Sequence, residues 1–557
     1  MVNRDRIVQI LYRLVRLEGV EFISELYRQL LNREPDLPGL QHHVSLLSRH
    51  TSKISIINSF LQSDEAESTY KQMQYNPLDY NRSTIARMIS QFYLASHLHF
   101  VHALYNELLG RNPEQGGIDI HVQCLLQGVN RQKLLTHILL SEECQRLLHA
   151  EQAPIFLDMG VPQSGSHTSK RIGVFVAFAQ PLDLDGEGIG RFLARLVHGL
   201  LLQDSKTTIY VVTTAENYAG FERLFGTEFI HFPGRLNLLK SNSMDWINQH
   251  VPADVWIVPS VSLELAMYLH KPFIFCLHDL VYLHFPELYY GKIPDFTNRV
   301  NRFAYPLADK AAAVVFNSHY VRTADGIGFL GLPAEKTHVI RLAAPVEEYA
   351  SFGIDDEVTF RHKYNLFGHY IVFPSIIRLH KNHCRLIEAF IKFRQTADGH
   401  ISKLQLVLTD NYQTSLLNKE ITDVLNRCHD LEIRNSIHFM GRMPSADLPS
   451  FYRYATGTIV PTLFEGSCPF PILESLAVDT PVAASRIEVT KEVLHDLDAF
   501  IPFDPHSVDE MAFSIQLLFI HNRNLLARQK STLSPAHYRS WSDVAQEYYN
   551  LMQQVAR

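Results

Sequence analysis

The feature that most constrains this chain is a pair of ordered series of short, almost uninterrupted apolar runs, each separated from the next by a helical stretch. The first series occupies residues 172–178, 208–212, 255–258, 273–277 and 312–316, and the second occupies 370–373, 406–408, 437–439, 458–460 and 481–484. A strand with one solvated face alternates apolar and polar residues, whereas a strand covered on both faces does not. Runs of this kind alternating with helices predict parallel sheets wrapped on both sides. The expected fold class is therefore α/β, with two doubly wound parallel-sheet domains. Ligands of such sheets sit at the carboxyl ends of the strands.

At roughly 150 residues per domain, a chain of 557 residues has room for more than two units. Residues 1–150 carry no strand-like run and contain an internal repeat. Phe22, Leu26, Tyr27, Leu30, Arg33, Pro35, Gly39 and Ser63 recur as Phe100, Leu104, Tyr105, Leu108, Arg111, Pro113, Gly117 and Ser141, always 78 positions on. An ungapped match of that length predicts two copies of one helical unit. The Arg-x-Pro-x-x-x-Gly step is expected to end one helix and start the next, with the glycine supplying a positive φ. The expected division is an all-α repeat domain over 1–150, a Gly/Pro/Ser-containing linker over 151–170, and sheet domains over 171–347 and 348–557. A final helix over 541–555 is expected to cross back onto the first sheet domain.

The first helix, with Arg13 and Arg16 set among Ile7, Ile10, Leu11 and Leu14, is amphipathic rather than a signal-peptide core. No run of about 18 apolar residues exists to span a membrane. A net charge of -7 and the lack of a basic stripe argue against nucleic acid as a partner. Six scattered cysteines without a Cys-x-x-Cys pair fit reduced thiols. The expected location is cytoplasmic, or peripheral at the inner face of a membrane. Residues 1–150 are candidates for docking to a protein or membrane partner, a purely structural role being the plainer alternative.

The densest chemistry lies in Pro461-Thr462-Leu463-Phe464-Glu465-Gly466-Ser467-Cys468-Pro469-Phe470-Pro471-Ile472-Leu473-Glu474. Glu465 and Glu474 flank a Gly/Pro turn between a strand and a helix, where carboxylates can accept hydrogen bonds from sugar hydroxyls; a helix-dipole role for the glutamates is the alternative. Arg378 and Lys381 follow the 370–373 strand and present two cations suited to phosphate, against the alternative of a solvated basic turn. Gly188 and Gly190, in Asp185-Gly186-Glu187-Gly188-Ile189-Gly190-Arg191, open a helix after the first strand, a place where backbone N–H groups approach phosphate. His278 ends the 273–277 strand. Asp183-x-Asp185 precedes a loop rather than closing a strand, so we discount it as a metal motif. His99 and His102 share a helical face without a third ligand at metal spacing, and no metal site is expected.

Taken together, Phe464-Glu465-Gly466, Leu473-Glu474-Ser475-Leu476-Ala477, Phe439-Met440-Gly441-Arg442 and Arg378-Leu379-His380-Lys381-Asn382 resemble the donor-binding signature of family 4 glycosyltransferases, which have the two-domain GT-B fold. One residue more than the family's usual seven separates the two glutamates. The resemblance implies a retaining, metal-independent transfer of a sugar from a nucleotide diphosphate sugar to a glycan or lipid-linked saccharide, with no cofactor. It implies that Glu465, His278 and Lys381 are catalytic, and that Arg378, Lys381, Glu474, Glu465, Gly188 and Gly190 bind the donor. The helical repeat resembles domain of unknown function 4214. Two alternatives stay open: an inactive GT-B protein that binds or targets through its repeats, and a nucleotide-sugar epimerase.

Overall fold

The computed structural model describes residues 5–49, 51–73, 84–151, 171–184, 188–289, 303–344, 353–467, 469–494, 496–532 and 539–556. Seven strands form the first sheet: β1 (Arg171–Val176), β2 (Thr208–Thr213), β3 (Leu236–Lys240), β4 (Val255–Val258), β5 (Phe273–Cys276), β6 (Ala313–Phe316) and β7 (Thr337–Val339). The second sheet holds β8 (Tyr370–Phe373), β9 (Gln405–Leu408), β10 (Ile437–Phe439), β11 (Gly457–Val460) and β12 (Val482–Ala484). All pairings are parallel, in the orders β3-β2-β1-β4-β5-β6-β7 and β10-β9-β8-β11-β12. Strand order reverses at β1 in the first sheet and at β8 in the second, and such switch points open a crevice at the strand ends.

The five apolar runs of the second series are its five strands. In the first sheet the apolar runs mark five of the seven strands and miss β3 and β7. Both lie at sheet edges and are only partly buried, so Asn237, Lys240, Thr337 and His338 interrupt their apolar pattern. The helix Trp541–Val555 lies on the helix Gly188–Gln203 of the first sheet domain, where Tyr549 donates to Asp204 (3.0 Å) and Tyr548 to Cys276 Sγ (3.4 Å).

Between Ile7 and Leu148 the regular elements among the described residues are all helices, and the 78-residue repeat is structural down to single contacts. Arg33–Glu65 (2.5 Å) recurs as Arg111–Glu143 (2.6 Å), and Tyr27–His43 (3.4 Å) as Tyr105–His121 (3.3 Å). The expected role of the repeat glycines needs correction. Asn32 and Gly110 take the left-handed turn, while Gly39 and Gly117 lie inside the helices Leu37–Ser48 and Gln115–Leu126. They are glycine because a tyrosine hydroxyl packs onto them: a Cβ at 117 would stand 2.7 Å from Tyr105 Oη, and one at 39 would collide with Tyr27 Oη.

The helix His97–Leu109 docks this region onto the first sheet domain. His99 packs against Phe303 (5.1 Å), His102 stacks on Tyr268 (5.8 Å) and donates to the carbonyl of Asn242 (3.2 Å), and Ser96 donates to Glu264 (3.1 Å). Burial pushes His99 down to about 3 and His102 to about 4, so both are neutral. The histidine pair is interdomain packing. Among the described residues, no helix is long and apolar enough to cross a membrane.

Candidate active site

Beyond β8, Leu379–Lys381 makes a single 3-10 turn and Asn382 adopts a left-handed conformation (φ 63°), which asparagine tolerates better than most residues. The buried Asn382 amide donates to the carbonyls of Pro461 (2.9 Å) and Pro505 (2.7 Å), and Leu463 N–H donates to His380 O (2.8 Å). These bonds lace the β8 loop to the β11 loop. They bring Lys381 Nζ to 2.5 Å from Glu465 Oε1. Arg378 is exposed beside them.

Glu474, on the helix Phe470–Ala477, is 3% exposed and accepts from Tyr452 Oη (2.7 Å). Its Oε1 is buried without a hydrogen bond, and Arg191 faces it from the first sheet domain at 3.6 Å. A buried carboxylate oxygen without a hydrogen bond is costly, and the Arg191 charge offsets part of that cost.

Across the cleft, Gly188 begins the helix Gly188–Gln203, and a Cβ there would meet nothing within 4 Å. Gly190 has a different duty: its Cα packs on the carbonyl of Leu184, where a side chain would collide. Asp185, Gly186 and Glu187 lie outside the described residues. Asp183 forms an ion pair across the cleft with Arg442.

His278 stands at the end of β5 with both ring nitrogens engaged. Nε2 donates to the carbonyl of Pro259 (3.1 Å), so Nδ1 accepts from the Asn317 amide (2.8 Å), and Phe192 meets the ring edge-on at 5.1 Å. Burial pushes it down to about 4 despite these bonds. The ring is therefore neutral and orders the β5 loop, with no nitrogen left over to take a proton in this state.

Asp279, Arg191 and Tyr289 were assigned no role from sequence, although Asp279 and Arg191 adjoin residues that were. The Asp279 carboxyl is pushed up to about 6, chiefly by burial, with repulsion from Asp325 and Glu465 adding to it. Gly466 makes this proximity possible, because a Cβ at 466 would lie 2.5 Å from His278 O and 2.8 Å from Asp279 Oδ2. The Tyr289 hydroxyl, held protonated with its pKa raised to about 12 by burial, donates to His380 Nδ1 (2.8 Å). On the β12 side, Glu492 accepts from the N–H groups of His319 (3.0 Å) and Tyr320 (2.8 Å) and pairs with Arg341 (3.1 Å). The two sheet domains thus meet across a bridged cleft. Lys381, Glu465 and Glu474 belong to its second-domain side, and Arg191 faces Glu474 from the other.

Known families account for much of this chain. Residues 357–532 match the family model Glycosyl transferases group 1. That segment contains Arg378, Lys381, Glu465 and Glu474. Residues 15–70 and 89–148 each match the domain of unknown function DUF4214, in step with the repeat. The D-inositol 3-phosphate glycosyltransferase of Acidothermus cellulolyticus is 22% identical over 398 residues, covering 66% of this chain and 86% of the relative. The O-antigen chain mannosyltransferase B of Escherichia coli is 34% identical over 79 residues, 14% of this chain and 20% of the relative. The crystal structure of Anabaena Alr3699/HepE in complex with UDP and glucose superposes with a TM-score of 0.50 at 16% identity, covering 69% of this chain and 100% of that one. At that identity the likeness concerns the fold, which is GT-B: two facing parallel-sheet domains.

Proposed function

We propose that this chain is a glycosyltransferase of family 4 that moves a sugar from a nucleotide diphosphate sugar to a hydroxyl of a glycan or lipid-linked acceptor, with retention. The observation that carries this reading is the Lys381–Glu465 pair at the carboxyl ends of β8 and β11, with the buried Glu474 on the helix after β11, inside the segment matched by the group 1 family model. In the reaction the bond from the anomeric carbon to phosphate breaks with its electron pair going to the diphosphate. The acceptor oxygen bonds to that carbon, and its proton passes to the departing phosphate. Lys381 and Arg378 stabilise the charge that grows there, and an aimed cation is typically worth a few kcal/mol in the transition state. Their cations meet the electrostatic need without a metal, so activity should persist in EDTA.

Glu474 Oε1 accepts a ribose hydroxyl in this scheme, and Glu465 accepts from the donor sugar once phosphate draws Lys381 away. His278 positions the β5 loop against the sugar and does not act as the base. The experiment is a thermal-stability screen with UDP, GDP and ADP, in which a nucleotide at 100 times its Kd adds about 2.7 kcal/mol. Release of that nucleotide from its sugar conjugate is then followed with mixed glycan acceptors. No stabilisation by any of the three refutes the reading, and conversion of the donor sugar's stereochemistry without acceptor would make the protein an epimerase.

A further inference from the structure

The helical region does not close fully onto the first sheet domain. Between them lies a cavity of about 180 Å³. At roughly 30 Å³ per water it has room for about six waters, the scale of a single sugar ring. From the helical side the helices Ile85–Tyr93 and His97–Leu109 contribute Phe92, His99 and Glu107, and the sheet domain contributes Tyr268, Phe303 and Lys310. Tyr268 and Lys310 stand a few residues before β5 and β6, toward the amino ends of those strands, whereas His278 and the cleft lie at the carboxyl end of β5. None of the residues assigned to the cleft lines this cavity.

One polar side chain in the wall is left short of a hydrogen bond. His99 is 2% exposed, its ring lines the cavity, and among the described residues no hydrogen bond reaches its buried Nδ1. Docking of the two regions does not require that nitrogen, because His102 donates to the Asn242 carbonyl (3.2 Å) and Ser96 to Glu264 (3.1 Å). Burial keeps the His99 ring neutral, so it carries one N–H and one lone pair. A hydroxyl both donates and accepts, and therefore complements such a ring in either tautomer.

The remaining walls narrow the class of ligand. Phe303 and Tyr268 lie with their ring centroids 5.1 Å and 6.0 Å from that of His99, and Phe92 adds a third aromatic side chain. Aromatic faces attract the weakly positive C–H groups of a saturated ring. Glu107 and Lys310 bring one charge of each sign, and both are engaged by backbone: Glu107 accepts from Ile7 N–H (3.0 Å) and Lys310 donates to the Met267 carbonyl. Outside the lining the charges are again one of each sign, Arg131 donating to the carbonyls of Tyr93 and Ala95 and Glu264 accepting from Ser96. Neither an anion nor a cation gains an unbalanced counter-charge here. A neutral ring with C–H faces and hydroxyl edges matches the aromatic walls and the imidazole together, and the half-buried Gln91 adds an amide that donates and accepts.

We infer that this cavity is a saccharide-binding site outside the cleft, which takes one neutral pyranose residue of a glycan between His99 and the aromatic side chains at the seam of the helical region and the first sheet domain. The inference is independent of the glycosyltransfer reading above. The test measures binding of methyl α-D-glucopyranoside, methyl α-D-mannopyranoside and methyl β-D-galactopyranoside to the full chain by saturation-transfer NMR, beside glucose 6-phosphate and L-phenylalanine as anionic and zwitterionic probes. His99→Phe keeps a ring in the wall and removes its nitrogens, and Gln91→Leu removes the amide. At least one methyl pyranoside should bind, and each substitution should weaken it about three- to tenfold, the effect of one lost hydrogen bond, with melting temperature and nucleotide affinity unchanged. No pyranoside binding up to the probes' solubility, or pyranoside affinity unmoved by both substitutions, would overturn the inference. So would a charged probe that binds more tightly than every pyranoside and loses affinity on His99→Phe.

Discussion

Replacing Asp279 by Asn probes the electrostatics of the bridged cleft. The carboxyl is raised from its ordinary 3.8 to about 6, first by burial and then by Asp325 and Glu465, against the opposing Val281 N–H bond (3.2 Å) and the Lys381 charge. A carboxyl raised in the folded state binds its proton more tightly there than in the unfolded chain. Its contribution to stability is therefore full below about pH 4, is lost as pH rises toward 6, and stays absent above that. Asparagine keeps the shape and the oxygen that accepts from Val281, and it carries no charge. At 1.36 kcal/mol per unit, Asp279→Asn should gain about 1 kcal/mol over wild type at pH 4.5 and about 3 kcal/mol at pH 7.5. The assay is urea denaturation at the two pH values, followed through the tryptophan transition of the first sheet domain, where Trp256 is buried. A gain that does not grow with pH, or a variant less stable at pH 7.5, would refute the argument.

Lys381→Ala should lower turnover on the order of 100-fold with an unchanged melting temperature, while Glu465→Gln should lower turnover more than it raises the donor KM; wild-type steady-state kinetics for either would remove that residue from the site. Gly466→Ala should press a methyl group onto His278 O and Asp279, cost about 1–3 kcal/mol and hold the cleft apart, read as a larger radius of gyration in solution scattering; an unchanged radius would show that the contact yields. Removing residues 1–169 should leave nucleotide affinity intact, because the residues assigned to the cleft all follow that point, but should lower the melting temperature by uncovering Tyr268 and Phe303. Loss of nucleotide binding in a monodisperse truncated chain would show that the helical region shapes the cleft.

The sequence by itself was enough for the class of fold and for the strand ends at which the candidate residues gather. A central parallel strand must be apolar on both faces, so the strands of both sheet interiors appear as continuous runs, and the loops at their carboxyl ends then name Arg378, Lys381, Glu465 and His278. The 78-residue offset was legible for the same reason: identical helical units bury identical faces, down to Arg33–Glu65 and Arg111–Glu143. Two of the four edge strands, β3 and β7, escaped because polar Asn237, Lys240, Thr337 and His338 break their apolar runs. What only the tertiary structure decided are relations between residues far apart in the chain. Asp279 is a raised carboxyl because the folded chain buries it and Gly466, nearly two hundred positions on, lets Glu465 approach it, and both His278 nitrogens are engaged because Pro259 and Asn317 reach them. The duty of Gly39 and Gly117 likewise depended on where a tyrosine ring lands. Residue type and spacing record local periodicity and burial, whereas protonation state, hydrogen-bond partner and close approach are set by neighbours that only the folded chain brings together.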